Sequence, residues 1–172
     1  HQVQIIDGEA EDVCADDMLD RIAEIRPDLA AMTATTPFFN VTDDLAGRVK
    51  NAFPEIPVVL GGPHITILKE QAFNENYDYG FVGEAERSWP EFLDVFERGG
   101  SLRGVKGLLL RENGRVVFTG NAPCVSDVDS IPVPARHLLK SELYTLGTME
   151  GVKKFTTVMT ARGCPFKCIF CS

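Results

Sequence analysis

The sequence has no apolar run that approaches the ~18 residues of a membrane-spanning helix, and no stripe of clustered Lys and Arg. The first absence excludes a helical span. The second, with a formal net charge of -8, argues against a nucleic-acid ligand, because phosphate backbones are held by concentrated positive charge. The opening stretch, HQVQIIDGEAEDV, lacks the basic and apolar regions of a signal peptide, so a cytoplasmic protein is expected. There is no internal repeat, no low-complexity segment, and no GxGxxG or Walker sequence to name a bound nucleotide. Cysteine is scarce and odd in number: of five, three crowd the C-terminus. That distribution suits reduced thiols and a metal site, and no disulfides are expected.

What is present is alternation. With 172 residues, 44% of them hydrophobic, the chain can bury one core and carry an extension. Residues 3–6 (VQII) read as a strand, followed by a helix with Met18, Ile22 and Ile25 on one face and Pro27 as its stop. Residues 29–33 (LAAMT) read as a second strand, leading through ATTPFFN into a helix with Thr42 as N-cap and Leu45, Val49 and Ala52 inward. Residues 57–60 run into GGPHIT and a short helix, and residues 79–82 into GEAE and a helix carrying Trp89, Leu93 and Phe96. Four strands, each followed by a helix, predict a parallel sheet.

After Gly99 and Gly100 the period changes to two β-prone runs around Asn113 and Gly114, a hairpin signal. The fold class expected is α/β: an open, mostly parallel Rossmann-like (flavodoxin-like) sheet with flanking helices, a β-hairpin and a C-terminal extension. Residues 1–120 form the Rossmann-like domain, with the hairpin at 105–119. Residues 121–153 read as a proline-stiffened linker, and 154–172 as a β-prone run delivering the cysteines.

In such a sheet, ligands bind outside the carboxyl ends of the strands. The unusual residues fall there: Thr33, Thr35 and Thr36 after the second strand, Gly61 and Gly62 after the third, Gly83 after the fourth. Glycine lets a ligand approach the backbone and hydroxyls hydrogen-bond it, although glycines at strand ends also serve only to turn the chain.

At the other end, Cys164, Cys168 and Cys171 make C-x3-C-x2-C in TARGCPFKCIFCS. Three close thiolates leave one metal position open, whereas a zinc knuckle uses paired units and four ligands.

HQVQIIDGEAEDV, RPDLAAMTATTPFFN, IPVVLGGPHIT, YGFVGEAE and SIPVPARHLL, in this order, resemble the N-terminal cobalamin-binding domain of radical S-adenosylmethionine enzymes. That group includes the anaerobic magnesium-protoporphyrin ester cyclases. The resemblance implies a corrinoid whose nucleotide tail lies along Thr33, Thr35, Gly61, Gly62, Gly83 and Glu84. It also implies a 4Fe-4S cluster on Cys164, Cys168 and Cys171, with S-adenosylmethionine on the fourth iron, cleaved reductively for methyl transfer or ring formation on an unreactive carbon. The Asp-x-His-x-x-Gly segment of methionine-synthase-type domains, whose histidine ligates cobalt, is missing, and His64 reads as a residue that orients its turn.

By the same resemblance the chain begins at the family's second strand and ends at the first loop of the radical barrel. The expectation is therefore a fragment, inactive alone, whose partners are that barrel and a small-molecule substrate. The rival is a flavodoxin-like binding or signalling module without catalysis. A receiver would need an acidic pair and a partner Lys at strand ends, and Asp7 is the sole acidic candidate.

Overall fold

The computed structural model describes residues 1–144, 156–164 and 166–169. They divide into two compact units, Cys14–Val125 and a second formed by His1–Val13 with Ser126–Ser172.

The first unit runs α1 (Ala15–Ile25), β1 (Ala30–Thr33), α2 (Phe39–Ala52), β2 (Val58–Gly61), α3 (Pro63–Leu68), β3 (Tyr79–Phe81), α4 (Ser88–Glu97), β4 (Leu108–Glu112) and β5 (Arg115–Phe118). The strands form one sheet in chain order. β1, β2 and β3 are parallel, with Thr33 beside Gly61 and Leu60 beside Gly80, and the β4–β5 hairpin continues the sheet antiparallel from β3.

β2 is apolar at every position because both of its faces are covered. Val58 and Leu60 pack with Ile22, Val49 and Ile65 from α1, α2 and α3, while Val59 packs on the opposite face with Phe81, Phe92 and Leu108. Phe92 anchors α4 there, meeting the rings of Tyr79 and Phe81 edge-on at 5.0 and 5.4 Å. At the amino end of the sheet Asp78 accepts the Val58 N–H at 2.7 Å and the Lys50 ammonium at 2.9 Å, joining α2 to two strands. The core thus fixes the strands, and their carboxyl ends are left for other work.

Three local expectations are corrected. Residues 3–6 form no strand, and Val3 and Ile5 are 56% and 45% exposed. β-propensity becomes a strand only where a neighbour takes up the ladder hydrogen bonds, and no such pairing forms there. α2 begins at Phe39, not after Thr42: the turn Thr36–Phe38 runs straight into it, and the Thr42 hydroxyl donates to the Phe38 carbonyl at 3.2 Å from inside the first turn. Its buried face is consequently Ala46 and Val49, with Ala52 exposed. Residues 156–160 carry no regular structure, and Phe155 lies outside the described residues. Among the described residues no helix is long and apolar enough to cross a membrane.

In the second unit, the Asp7 carboxylate accepts the Ala10 N–H at 3.0 Å and the Tyr144 hydroxyl at 2.6 Å, while Glu11 accepts the Asp7 N–H and pairs with Lys140. Leu138 and Leu139 are half-buried in the same unit. The Ala10 N–H, and after it the Tyr144 hydroxyl, hold the Asp7 carboxyl below its ordinary value. The same bond to Asp7 pushes the Tyr144 phenol up to about 12. Since the neutral phenol is the donor, this stabilisation is complete below the unfolded phenol's pKa of about 10 and is lost as pH rises through the folded value.

The other two tyrosines are also shifted upward, Tyr77 and Tyr79 both chiefly by burial. In an alkaline titration followed by tyrosinate absorbance, the folded chain should stay flat through the ordinary phenol range near pH 10. A rise toward about 12 should be present and should vanish in Tyr144→Phe. A tyrosine that ionises near pH 10 in the folded chain and is lost in Tyr144→Phe would show that the Asp7–Tyr144 bond does not form.

Candidate functional site

The carboxyl ends of β1, β2 and β3 lie side by side, and the loops leaving them are built from glycine and threonine. β1 and β2 are closed against each other first. The Ala34 N–H donates to the Gly61 carbonyl at 3.1 Å, and the Ala34 carbonyl accepts the His64 N–H at 3.1 Å, so Ala34 is buried between the two loops. Gly62 makes this possible. Its φ is +97°, and a Cβ there would stand 2.5 Å from the Thr33 hydroxyl and 2.8 Å from the Ala34 carbonyl.

Pro63 opens α3 directly after this turn, with the prearranged φ of a first helical residue. His64 is thereby carried inward, 6% exposed, its ring stacked on Phe39 with centroids 4.0 Å apart and Nδ1 3.2 Å from the Thr36 hydroxyl. The histidine orients the turn.

One helical turn on, the Thr66 hydroxyl donates to the Gly62 carbonyl at 2.9 Å and accepts the Gly83 N–H at 3.0 Å. Thr66 therefore links the β2 loop to the β3 loop. Gly83 has φ +85°, and a Cβ built there meets no atom within 4 Å. At Gly61 a Cβ would find only the Met32 carbonyl, at 3.8 Å. Both glycines thus present bare backbone to open space, which a flat ligand can approach closely.

The structure brings together Thr33, Gly61, Gly62 and, through Thr66, Gly83. Thr35 is exposed at the start of the following turn without a side-chain capping bond. Glu84 is committed elsewhere: its Oε2 accepts the Val125 N–H at 2.8 Å. Thr66 and the Thr36–His64–Phe39 stack were not anticipated as a group. The available signal was Gly62 and Thr66 at i and i+4 on either side of the helix-opening Pro63, one face of one turn.

Cys164 and Cys168 are exposed free thiols, preceded by Gly163 in a left-handed conformation, and Cys171 lies outside the described residues. Among the described residues no three His, Cys, Asp or Glu side chains converge to hold a metal. Cys14 and Cys124 are also free and exposed.

The two cradle glycines separate experimentally. Gly62→Ala places a side chain in the left-handed region against Thr33 and should destabilise the chain by about 1–3 kcal/mol in urea unfolding. Gly61→Ala has room and should be neutral or stabilising by up to ~1 kcal/mol. Equal effects of the two would mean the β1–β2 closure is not as described.

A model of the B12 binding domain matches residues 1–93. The chain is similar to an uncharacterized methyltransferase of Pyrococcus horikoshii, 39% identical over 174 residues, covering 100% of this chain and 37% of that protein. It is also similar to the anaerobic magnesium-protoporphyrin IX monomethyl ester cyclase of Cereibacter sphaeroides, 32% identical over 172 residues, covering 97% of this chain and 28% of that protein. Its fold matches that of the radical S-adenosylmethionine methyltransferase TsrM from Kitasatospora setae, a structure with cobalamin and a 4Fe-4S cluster bound. That match has a TM-score of 0.56 and 18% identity, and covers 69% of this chain and 23% of the other. The chain thus spans little more than a third, at most, of the relatives it resembles.

Proposed function

The chain belongs to the B12-binding domain family, and from that membership we propose that the crevice over Gly61, Gly62 and Gly83 holds the nucleotide tail of a corrinoid. The observation that carries this reading is the bare backbone at two adjacent strand ends. A tail laid along β2 and β3 would meet peptide groups at Gly61 and Gly83, where a side chain would hold it off, with the Thr33 and Thr35 hydroxyls at the β1 end of the same crevice. When bound, cobalamin supplies a cobalt that carries a methyl group or takes part in radical chemistry. The chain's own task is to bind the cofactor and exclude alternatives from the crevice.

We extend the proposal to the whole protein on the relatives' printed identities. The chain would be the cobalamin-binding part of a radical S-adenosylmethionine enzyme, with Cys164, Cys168 and Cys171 holding three irons of a 4Fe-4S cluster. The fourth iron would remain for S-adenosylmethionine. This part rests on the C-x3-C-x2-C spacing. A reducing cytoplasmic setting suits such thiols. The division is residues 1–120 for the cofactor, 121–153 for the linker and 154–172 for the start of the catalytic barrel, which would choose the small-molecule substrate.

Gly61→Val tests the crevice, because that position tolerates a Cβ without strain. Equilibrium dialysis should show hydroxocobalamin binding by the parent chain and a loss of about tenfold or more in the variant, with unfolding unchanged. Equal affinity in both, or tighter binding of flavin than of corrinoid, would overturn the assignment.

For the cysteines, the full-length protein reconstituted anaerobically should contain iron and sulfide. Cys164→Ala, Cys168→Ala and Cys171→Ala should each abolish 5'-deoxyadenosine formation. One zinc and no sulfide in the parent would refute the cluster.

A further inference from the structure

Glu84 sits at the carboxyl end of β3, beside the crevice proposed for the corrinoid, yet its geometry is that of a residue working on the protein itself. Gly83, one residue earlier, is tied by its N–H to the Thr66 hydroxyl, at 3.0 Å. Glu84 reaches the other way, accepting the N–H of Val125 at 2.8 Å across 41 residues of sequence. Val125 is 8% exposed and is the last residue of its compact unit.

The segment that ends there starts on the far side of β4 from β3 and passes Gly107, the residue that joins the end of β3 to β4. The Val82 N–H donates to the Gly107 carbonyl at 2.8 Å, the Gly107 N–H donates to the Gly120 carbonyl at 2.7 Å, and a Cβ on Gly107 would meet Ala122 at 3.1 Å. Residues 120–125 therefore cross the start of β4 at Gly107 and reach the β3 loop at Val125. Glu84 pins the last of them.

We propose that Glu84 is a positioning residue, not a cofactor ligand: with Thr66 it clamps the β3 loop between α3 and the exit segment 120–125, and so shapes that side of the crevice. The inference rests on the corrinoid reading and refines it. Charge supports the direction. A corrinoid's nucleotide tail carries a phosphodiester, and a carboxylate facing it would be repelled. A carboxylate whose oxygen is occupied by a backbone N–H is instead stabilised in a charge-assisted bond. The clamp also explains why a glutamate can follow an open glycine at a ligand edge: the bond to Val125 directs that oxygen to the exit segment.

Two readouts on the full chain test this, amide hydrogen exchange at Val125 and Gly83 and hydroxocobalamin affinity by equilibrium dialysis. Glu84→Ala should speed Val125 exchange by about tenfold or more and weaken hydroxocobalamin binding by a comparable factor. Glu84→Gln keeps an oxygen acceptor for the Val125 N–H and should restore both to within about threefold of the parent. Thr66→Val should speed exchange at Gly83, and Thr66→Ser should not.

Val125 exchange unchanged in Glu84→Ala would overturn the clamp. Glu84→Gln binding as weakly as Glu84→Ala while Val125 stays protected would also overturn it, because the charge itself would then be meeting the cofactor. A parent chain that binds no hydroxocobalamin refutes the corrinoid reading instead, and the exchange measurements on the ligand-free chain still decide the clamp.

Discussion

The strand-end architecture depends on one missing side chain, that of Gly62. A left-handed residue there lets the β1 and β2 loops nest closely enough for Ala34 to bond with Gly61 on one side and His64 on the other. Any Cβ would fall within 2.5 Å of the Thr33 hydroxyl and force the loops apart. Because the turn is so tight, α3 starts at once, and Thr66 comes round one turn later to meet Gly83. Three loops are thereby set by a single backbone conformation. The buried apolar strands supply only the platform on which this happens.

A consequence concerns charge. The chain carries a formal net charge of -8, and the residues assembled around the crevice, Thr33, Gly61, Gly62, Thr66 and Gly83, include no cation. An anionic tail held here must be met by backbone dipoles and hydroxyls, groups that are fixed by the fold and need no counter-ion. That arrangement tolerates an acidic surface at a distance, because exposed charges beyond a Debye length of about 8 Å are largely screened. It does not tolerate a carboxylate pointing inward. The bond from Val125 to Glu84 answers that requirement within the same loop.

Much of the fold was legible because its signals are local. β2 reads as an unbroken apolar run, since both faces are covered, whereas α1 buries Ile22 with Leu19 packed beside it and leaves Ile25, expected on the same face, 36% exposed. The hairpin is written in Asn113 and Gly114, whose φ values of 50° and 75° are those its turn demands. Residues 3–6 carry equally good strand chemistry and form none, because pairing is a property of two segments and only one was being read. Thr42 is a good capping residue inside a helix that had already begun at Phe39. In the crevice the paired glycines stood out for the same local reason. Thr66 did not, because its partner Gly83 is 17 residues away, and the role of Glu84 was hidden behind a separation of 41.

The cysteine motif shows the converse limit. Spacing along a loop is enough to indicate how many irons a segment can ligate, because ligand reach is a matter of a few consecutive residues. It is not enough to make a cluster durable, since an iron–sulfur centre also depends on surrounding protein that shields it and hydrogen-bonds its sulfurs. Among the described residues Cys164 and Cys168 are exposed, and no third ligand stands with them. The crevice is different in kind: its parts are scattered over 50 positions, from Thr33 to Gly83, and are brought together by the sheet itself. A ligand set can therefore be announced within one short segment, whereas a cradle made of strand ends exists only once its strands pair.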